Sequence, residues 1–133
     1  MNEINRVSHP GKTEVSEKRV VVVTGASAGV GRATVIEFAK RGWCIALLAR
    51  GIEGLEGARG DVERIGSQSG AQAIVIPTDV ACADEVEAAA ARVEAEWGHI
   101  DVWINDAMAT IFADVMSVSP ADFKRATEVT YLG

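Results

Sequence analysis

The chain has 133 residues, enough for one domain with a sizeable core and few for two. Its 48% hydrophobic and 24% charged content excludes global disorder, a collagen-like chain and a coiled coil. A net charge of −6 opposes general affinity for nucleic acid or an anionic membrane, and no apolar run approaches the roughly 20 residues that cross a bilayer, so a cytoplasmic location is expected.

Residues 1–18 (MNEINRVSHPGKTEVSEK) are polar, carry Pro10-Gly11 and lack the apolar core of a signal peptide, which predicts a flexible lead-in. The run Val20 to Val23 predicts a first strand buried on both faces of a parallel sheet. From Val30 to Lys40 the apolar residues Val35, Phe38 and Ala39 fall at helical spacing, and Arg41-Gly42 supplies a cation and a glycine stop. Trp43 to Ala49 predicts the second strand, and Ile52 to Ile65 a second helix. Gly54, Gly57 and Gly60 each cost that helix up to about 1 kcal/mol relative to alanine, so it is expected to be broken or frayed unless packing rescues it.

Ala73 to Ile76 predicts a third strand. Asp84 reads as the N-cap of a third helix, with Glu87 completing a capping box and Val86, Ala90, Val93 and Trp97 forming the buried stripe up to Gly98. Asp101 to Ile104 predicts a fourth strand. Ser119-Pro120 opens a last helix that turns Phe123, Ala126 and Val129 inward. Alternating strands and helices at this spacing predict βαβ units and a parallel sheet. Cys44 and Cys82 show no metal-ligand or CxxC spacing and are expected to be buried, inert thiols. Glu85, Glu87, Glu94 and Glu96 read as the solvated face of the third helix, and His9 and His99 as surface residues, so no metal site is expected.

The stretch Thr24-Gly25-Ala26-Ser27-Ala28-Gly29-Val30-Gly31 joins the first strand directly to the first helix. A turn of this kind points the helix's first amides at open space with a partial positive charge, which attracts phosphate. Gly25, Gly29 and Gly31 let the backbone turn sharply and let a pyrophosphate approach without meeting a Cβ, while Thr24, Ser27 and the amides supply hydrogen bonds. A P-loop is excluded because its Gly-Lys-Ser/Thr ending is absent, and the GxGxxG spacing is absent too.

TGxxxGxG in this position resembles the short-chain dehydrogenase/reductase family, and three further segments agree in order and spacing. Asp79-Val80 resembles the family's Asp that contacts the adenine. Asn105-Asp106-Ala107-Met108 resembles its NNAG segment, and Glu128 to Gly133 (EVTYLG) the end of its fourth helix. The resemblance covers residues 19–133 and implies a Rossmann-type, doubly wound parallel α/β sheet of four strands in the order 3-2-1-4. It also implies a role for each matched position. Gly25, Ser27, Gly29, Val30 and Gly31 would form the pyrophosphate loop, Asp79 and Val80 would meet the adenine, and Asn105 with Ala107 the adjacent ribose. Arg50 closes the second strand, where a free ribose 2′-hydroxyl is matched by an acid and a 2′-phosphate by a cation, so NADP is favoured over NAD; the alternative is a solvated charge at a strand end.

The chain departs from the family at Asp106, Met108 and Thr130. Asp106 puts an acid where the family has an amide, unfavourable beside cofactor phosphates unless exposed or paired. The family's chemistry resides in a Ser and a Tyr-x-x-x-Lys segment, neither present; Tyr131 cannot stand in, because only Leu132 and Gly133 follow it. No catalytic residue is assigned. The expected identity is the cofactor-binding half, 19–133, of an NADP-dependent oxidoreductase, incomplete at its C-terminus, acting on a small carbonyl or alcohol. A non-catalytic dinucleotide-binding module and an inactive gene fragment are the alternatives. By resemblance the last helix contributes dimer contacts, so a homo-oligomer is the expected assembly.

Overall fold

The computed structural model describes residues 18–133, so 1–17 of the expected lead-in, with His9, lie outside the described residues. Lys18, its last member, donates from Nζ to the Gly70 carbonyl at 2.8 Å. Four strands form one parallel sheet: β1 (Val20–Thr24), β2 (Cys44–Ala49), β3 (Gln72–Pro77) and β4 (Val102–Ile104), in the order β3-β2-β1-β4. Helices α1 (Gly29–Lys40), α2 (Ile52–Ser69) and α3 (Ala83–Trp97) alternate with them. A short 3₁₀ turn at Val115–Ser117 precedes α4 (Pro120–Thr127), which runs into a π-helical turn at Glu128–Leu132. Among the described residues no helix is long and apolar enough to cross a membrane.

The valine run forms a central strand because its side chains alternate between two apolar layers. Val21 and Val23 join Ile45 and Leu47 under α1 and α2, against Val35, Leu55 and Val62. Val20 and Val22 join Cys44, Ala46 and Leu48 on the other face, against Ala89 and Val93 of α3. Each fully buried Val or Leu contributes about 1.5–3 kcal/mol relative to an exposed one, so β1 and β2 dominate the core.

The second helix is neither broken nor frayed: α2 is continuous over 18 residues. Two of its three expected breakers, Gly54 and Gly57, sit at close approaches, whereas a Cβ on Gly60 would meet nothing within 4 Å. A Cβ on Gly54 would lie 2.7 Å from the Ser27 Cβ, and one on Gly57 would lie 3.2 Å from the Arg32 guanidinium. Arg32 bridges to Asp61 across α1 and α2, with Nη2 at 2.8 Å and Nε at 2.9 Å from Oδ2. That bridge and the burial of Leu55, Ala58 and Val62 outweigh the low helix propensity.

Four further expectations are corrected. Cys82, not Asp84, occupies the N-cap of α3, with no side-chain capping bond. The capping box does not form, and Glu85 Oε2 instead accepts the Asp79 amide at 2.6 Å, reaching back to the β3 end. Phe123 is 68% exposed rather than inward: α4 buries no residue and meets the body through the Arg125–Asp79 bond, while Val129 of the following turn is buried. Cys82 is half-buried, whereas Cys44 is buried and its thiol is pushed up by burial; both are free. The Ser119 cap is as expected, its Oγ accepting the Asp122 amide at 3.1 Å.

Candidate cofactor cleft

All four strands are parallel, so their C-terminal ends open on one edge, and β1 lies between β2 and β4 where the order reverses. Open α/β sheets bind ligands at that switch point. Here the loops after β1, β2, β3 and β4 enclose a cleft of about 460 Å³, closed on one side by α4. Gly25 and Ser27 line it from the first loop, Ala49, Arg50 and Gly51 from the second, Thr78, Asp79 and Val80 from the third, and Ala107 and Met108 from the fourth.

The glycine turn is shaped by backbone contact. A Cβ on Gly31 would sit 2.2 Å from the Gly25 carbonyl oxygen, so the first turn of α1 closes directly onto the loop. Gly25 has φ 68°, and a Cβ there would lie 2.9 Å from the Asp106 carbonyl, so the first and fourth loops also touch through backbone alone. Ala28, at the N-cap of α1, gives no side-chain cap, and the first turn holds no acid. With neither a side-chain cap nor an acid of its own in the first turn, α1 presents the partial positive charge of its leading amides to nearby anions. These are the features a pyrophosphate requires.

Thr24 has a different part from the ligand role considered for it. It is buried at the end of β1, and its Oγ1 accepts the amides of both Asp106 and Ala107, each at 3.0 Å. The hydroxyl braces the fourth loop against the first. Asp106 Oδ2 lies 2.9 Å from where a Gly31 Cβ would be, beside the positive end of α1, where the helix dipole favours a negative charge.

Of the sequence-predicted residues, the fold brings Gly25, Ser27, Arg50, Asp79, Val80 and Ala107 to the cleft lining. Gly31 lies buried beneath Gly25, while Gly29 and Val30 are exposed at the start of α1. Asn105 is outside the lining, and its Oδ1 accepts the Trp103 indole N–H at 2.8 Å. Thr130 exchanges two hydrogen bonds with the Ala109 backbone, accepting its amide at 3.1 Å and donating to its carbonyl at 3.2 Å. That pairing fastens the turn after α4 to the fourth loop.

Arg125 was not foreseen. It lines the cleft from α4, and its Nη2 donates to Asp79 Oδ1 at 2.9 Å. This bond holds the Asp79 carboxyl below the usual carboxylate range against the opposing effect of burial; the Ala81 amide, 3.0 Å from Oδ1, and the nearby Arg50 charge act in the same sense. No local pattern marks Arg125, since its partner is 46 residues away. Among the described residues no cluster of His, Cys, Asp and Glu could hold a metal ion. His99 is exposed, with Nε2 2.9 Å from Asp101 Oδ1.

The chain is 30% identical over 134 residues to an uncharacterized oxidoreductase of Mycobacterium tuberculosis, covering 99% of this chain and 39% of the relative. Among solved structures, L-sorbose reductase from Gluconobacter frateurii complexed with NADPH and L-sorbose has a TM-score of 0.75 at 27% identity, covering 87% of this chain and 43% of that one. NAD+-bound xylitol dehydrogenase has a TM-score of 0.78 at 30% identity, covering 88% and 44%. The chain thus spans less than half the length of these relatives. The short chain dehydrogenase profile matches residues 19–133, the span that holds the β3-β2-β1-β4 sheet and the glycine turn, and the chain belongs to that family.

Proposed function

We propose that the cleft binds NADP(H), and that residues 19–133 are the cofactor-binding part of an oxidoreductase that moves hydride between the nicotinamide and a small carbonyl or alcohol. The observation that carries this reading is the meeting, in one cleft, of the glycine turn and Arg50 at the end of β2. Gly25 and Ser27, over the uncapped start of α1, take the pyrophosphate. Gly31 serves from beneath by letting helix and loop close together, and Gly29 and Val30 contribute their exposed amides. Arg50 meets the ribose 2′-phosphate at a position where recognition of a free hydroxyl uses an acid. Asp79 and Val80 face the adenine, and Ala107 with Asn105 the neighbouring ribose, Asn105 after release from Trp103.

The bound cofactor supplies the hydride; this chain's residues bind it and orient it at the switch point. No residue of the chain is assigned to proton transfer.

Calorimetric titration of the chain with NADPH and NADH, beside an Arg50→Ala variant, tests the reading. Saturable NADPH binding that weakens by about tenfold or more in the variant, with NADH changed by less than about threefold, is the expected result for loss of a charge-assisted phosphate contact. Failure of the folded chain to bind either nucleotide rejects it.

A further inference from the structure

Two arginines and one carboxylate line the cleft: Arg50 after β2, Arg125 on α4 and Asp79 after β3. Their connections are unequal. Asp79 Oδ1 is taken by Arg125 at 2.9 Å and by the Ala81 amide at 3.0 Å, while Arg50 has no hydrogen bond or ion pair among the described residues. Yet Arg50 and Asp79 leave neighbouring strand ends. Ala49 is in register with Pro77, and the Thr78 amide donates to the Ala49 carbonyl at 2.9 Å, so the two side chains depart from adjacent backbone.

This arrangement makes one carboxylate available to two cations. The Asp79 carboxylate feels both, with Arg125 the stronger influence and Arg50 the weaker. The other carboxylates nearby are engaged elsewhere: Glu85 holds the Asp79 amide, and Glu128 pairs with Lys124 at 3.6 Å while also facing Arg125. With Arg125 removed, the strongest remaining cation for Asp79 is Arg50, the same group that would meet a phosphate on the ribose. A carboxylate already paired to that guanidinium competes with the phosphate and repels it.

Building on the NADP(H) reading above, we propose that Arg125 is a positioning residue for nucleotide choice: by holding Asp79 it leaves Arg50 free to receive the 2′-phosphate. Arg125 acts through Asp79 and Arg50 without touching the phosphate. Cofactor preference is then set partly from α4, far along the chain from both the glycine turn and the β2 end.

The test is the ratio of NADPH to NADH affinity in the wild-type chain, Arg125→Gln, Arg125→Lys and the double variant Arg125→Gln/Asp79→Asn, measured by calorimetry on chains shown to be folded by circular dichroism. Both nucleotides carry the same adenine and pyrophosphate, so loss of an adenine contact or general loosening of α4 cancels in the ratio. Arg125→Gln is expected to lower the preference for NADPH about tenfold, and Arg125→Lys, which keeps the charge, to retain it within about threefold. Removing the carboxylate charge in the double variant is expected to restore the wild-type ratio to within about threefold. An unchanged ratio in Arg125→Gln overturns the inference, and so does a fall that Asp79→Asn fails to reverse, which would mean that Arg125 meets the phosphate itself. A wild-type chain that binds neither nucleotide, or prefers NADH, overturns the NADP(H) reading and this inference with it. Wild-type NADPH preference that survives Arg125→Gln sinks the inference alone.

Discussion

The two central strands and the segment after β4 are built on different principles. Every residue of β1 and all of β2 except Ala49 is buried, whereas from Asn105 to Gly133 only Val129 is. The first region is held by apolar burial on both faces of a sheet. The second is fastened by a few polar ties: Thr24 to the Asp106 and Ala107 amides, Arg125 to Asp79, and Thr130 to Ala109. The cleft lies between them, with a floor set by burial and a wall set by individual hydrogen bonds. Substitutions in the first region should therefore appear as lost stability, and substitutions in the second as changed binding or local opening.

The largest effect is expected at the centre of the floor. Leu47→Ala should lower unfolding free energy by about 2–5 kcal/mol in urea titration, because Leu47 is fully buried in the layer beneath α1 and α2. A loss below about 1 kcal/mol would break the comparison. Next is the junction of the two regions. Thr24→Val leaves the amides of Asp106 and Ala107 without their shared acceptor, and should cost about 1–3 kcal/mol while speeding amide exchange at those two positions. Equal exchange in variant and wild type would show that the hydroxyl does not brace the loop.

A smaller effect, under about 1 kcal/mol, is expected from the partly exposed Arg32–Asp61 bridge that joins α1 to α2. The hydrogen bond from Arg32 holds the Asp61 carboxyl below its ordinary range, burial opposes this, and Arg64 adds to the lowering. A depressed folded-state pKa gives stability that is fully present above the unfolded value of about 3.9 and lost as pH falls through the folded one. The stability gap between wild type and Asp61→Asn should hold from neutral pH down to about 5 and close below about 4, as followed by thermal unfolding. A gap independent of pH would exclude the bridge as its source. The smallest change is expected on the wall: Phe123→Ser should shift stability by no more than about 0.5 kcal/mol, because the ring is 68% exposed. A loss above about 2 kcal/mol would mean that Phe123 is covered.

The same contrast explains what the sequence made legible. The strands of the floor announce themselves because a run such as Val20 to Val23 satisfies two apolar faces at once, and the glycine turn because Gly31 closes onto the Gly25 backbone only six residues before it, although the contact of Gly25 with the Asp106 backbone is long-range. Two of the misreadings come from partners distant in sequence. Gly54, Gly57 and Gly60 argue for a broken helix, since nothing local shows that Ser27 lies against Gly54 and the Arg32 guanidinium against Gly57. Arg125 reads as an ordinary cation in the last turn of a helix, and its bond to Asp79 exists only once α4 crosses the cleft. The spacing of Phe123 predicts an inward ring, but periodicity identifies a face without supplying the surface that covers it.

The most direct measurement of the central claim is a titration of the isotopically labelled chain with NADPH, followed by amide chemical shifts. Binding in the cleft predicts saturable changes concentrated at Gly25, Ser27, Gly31, Arg50, Val80 and Ala107, with little change at Leu47 in the floor or Arg92 on α3. Changes confined to other surfaces, or none at saturating nucleotide, would contradict it.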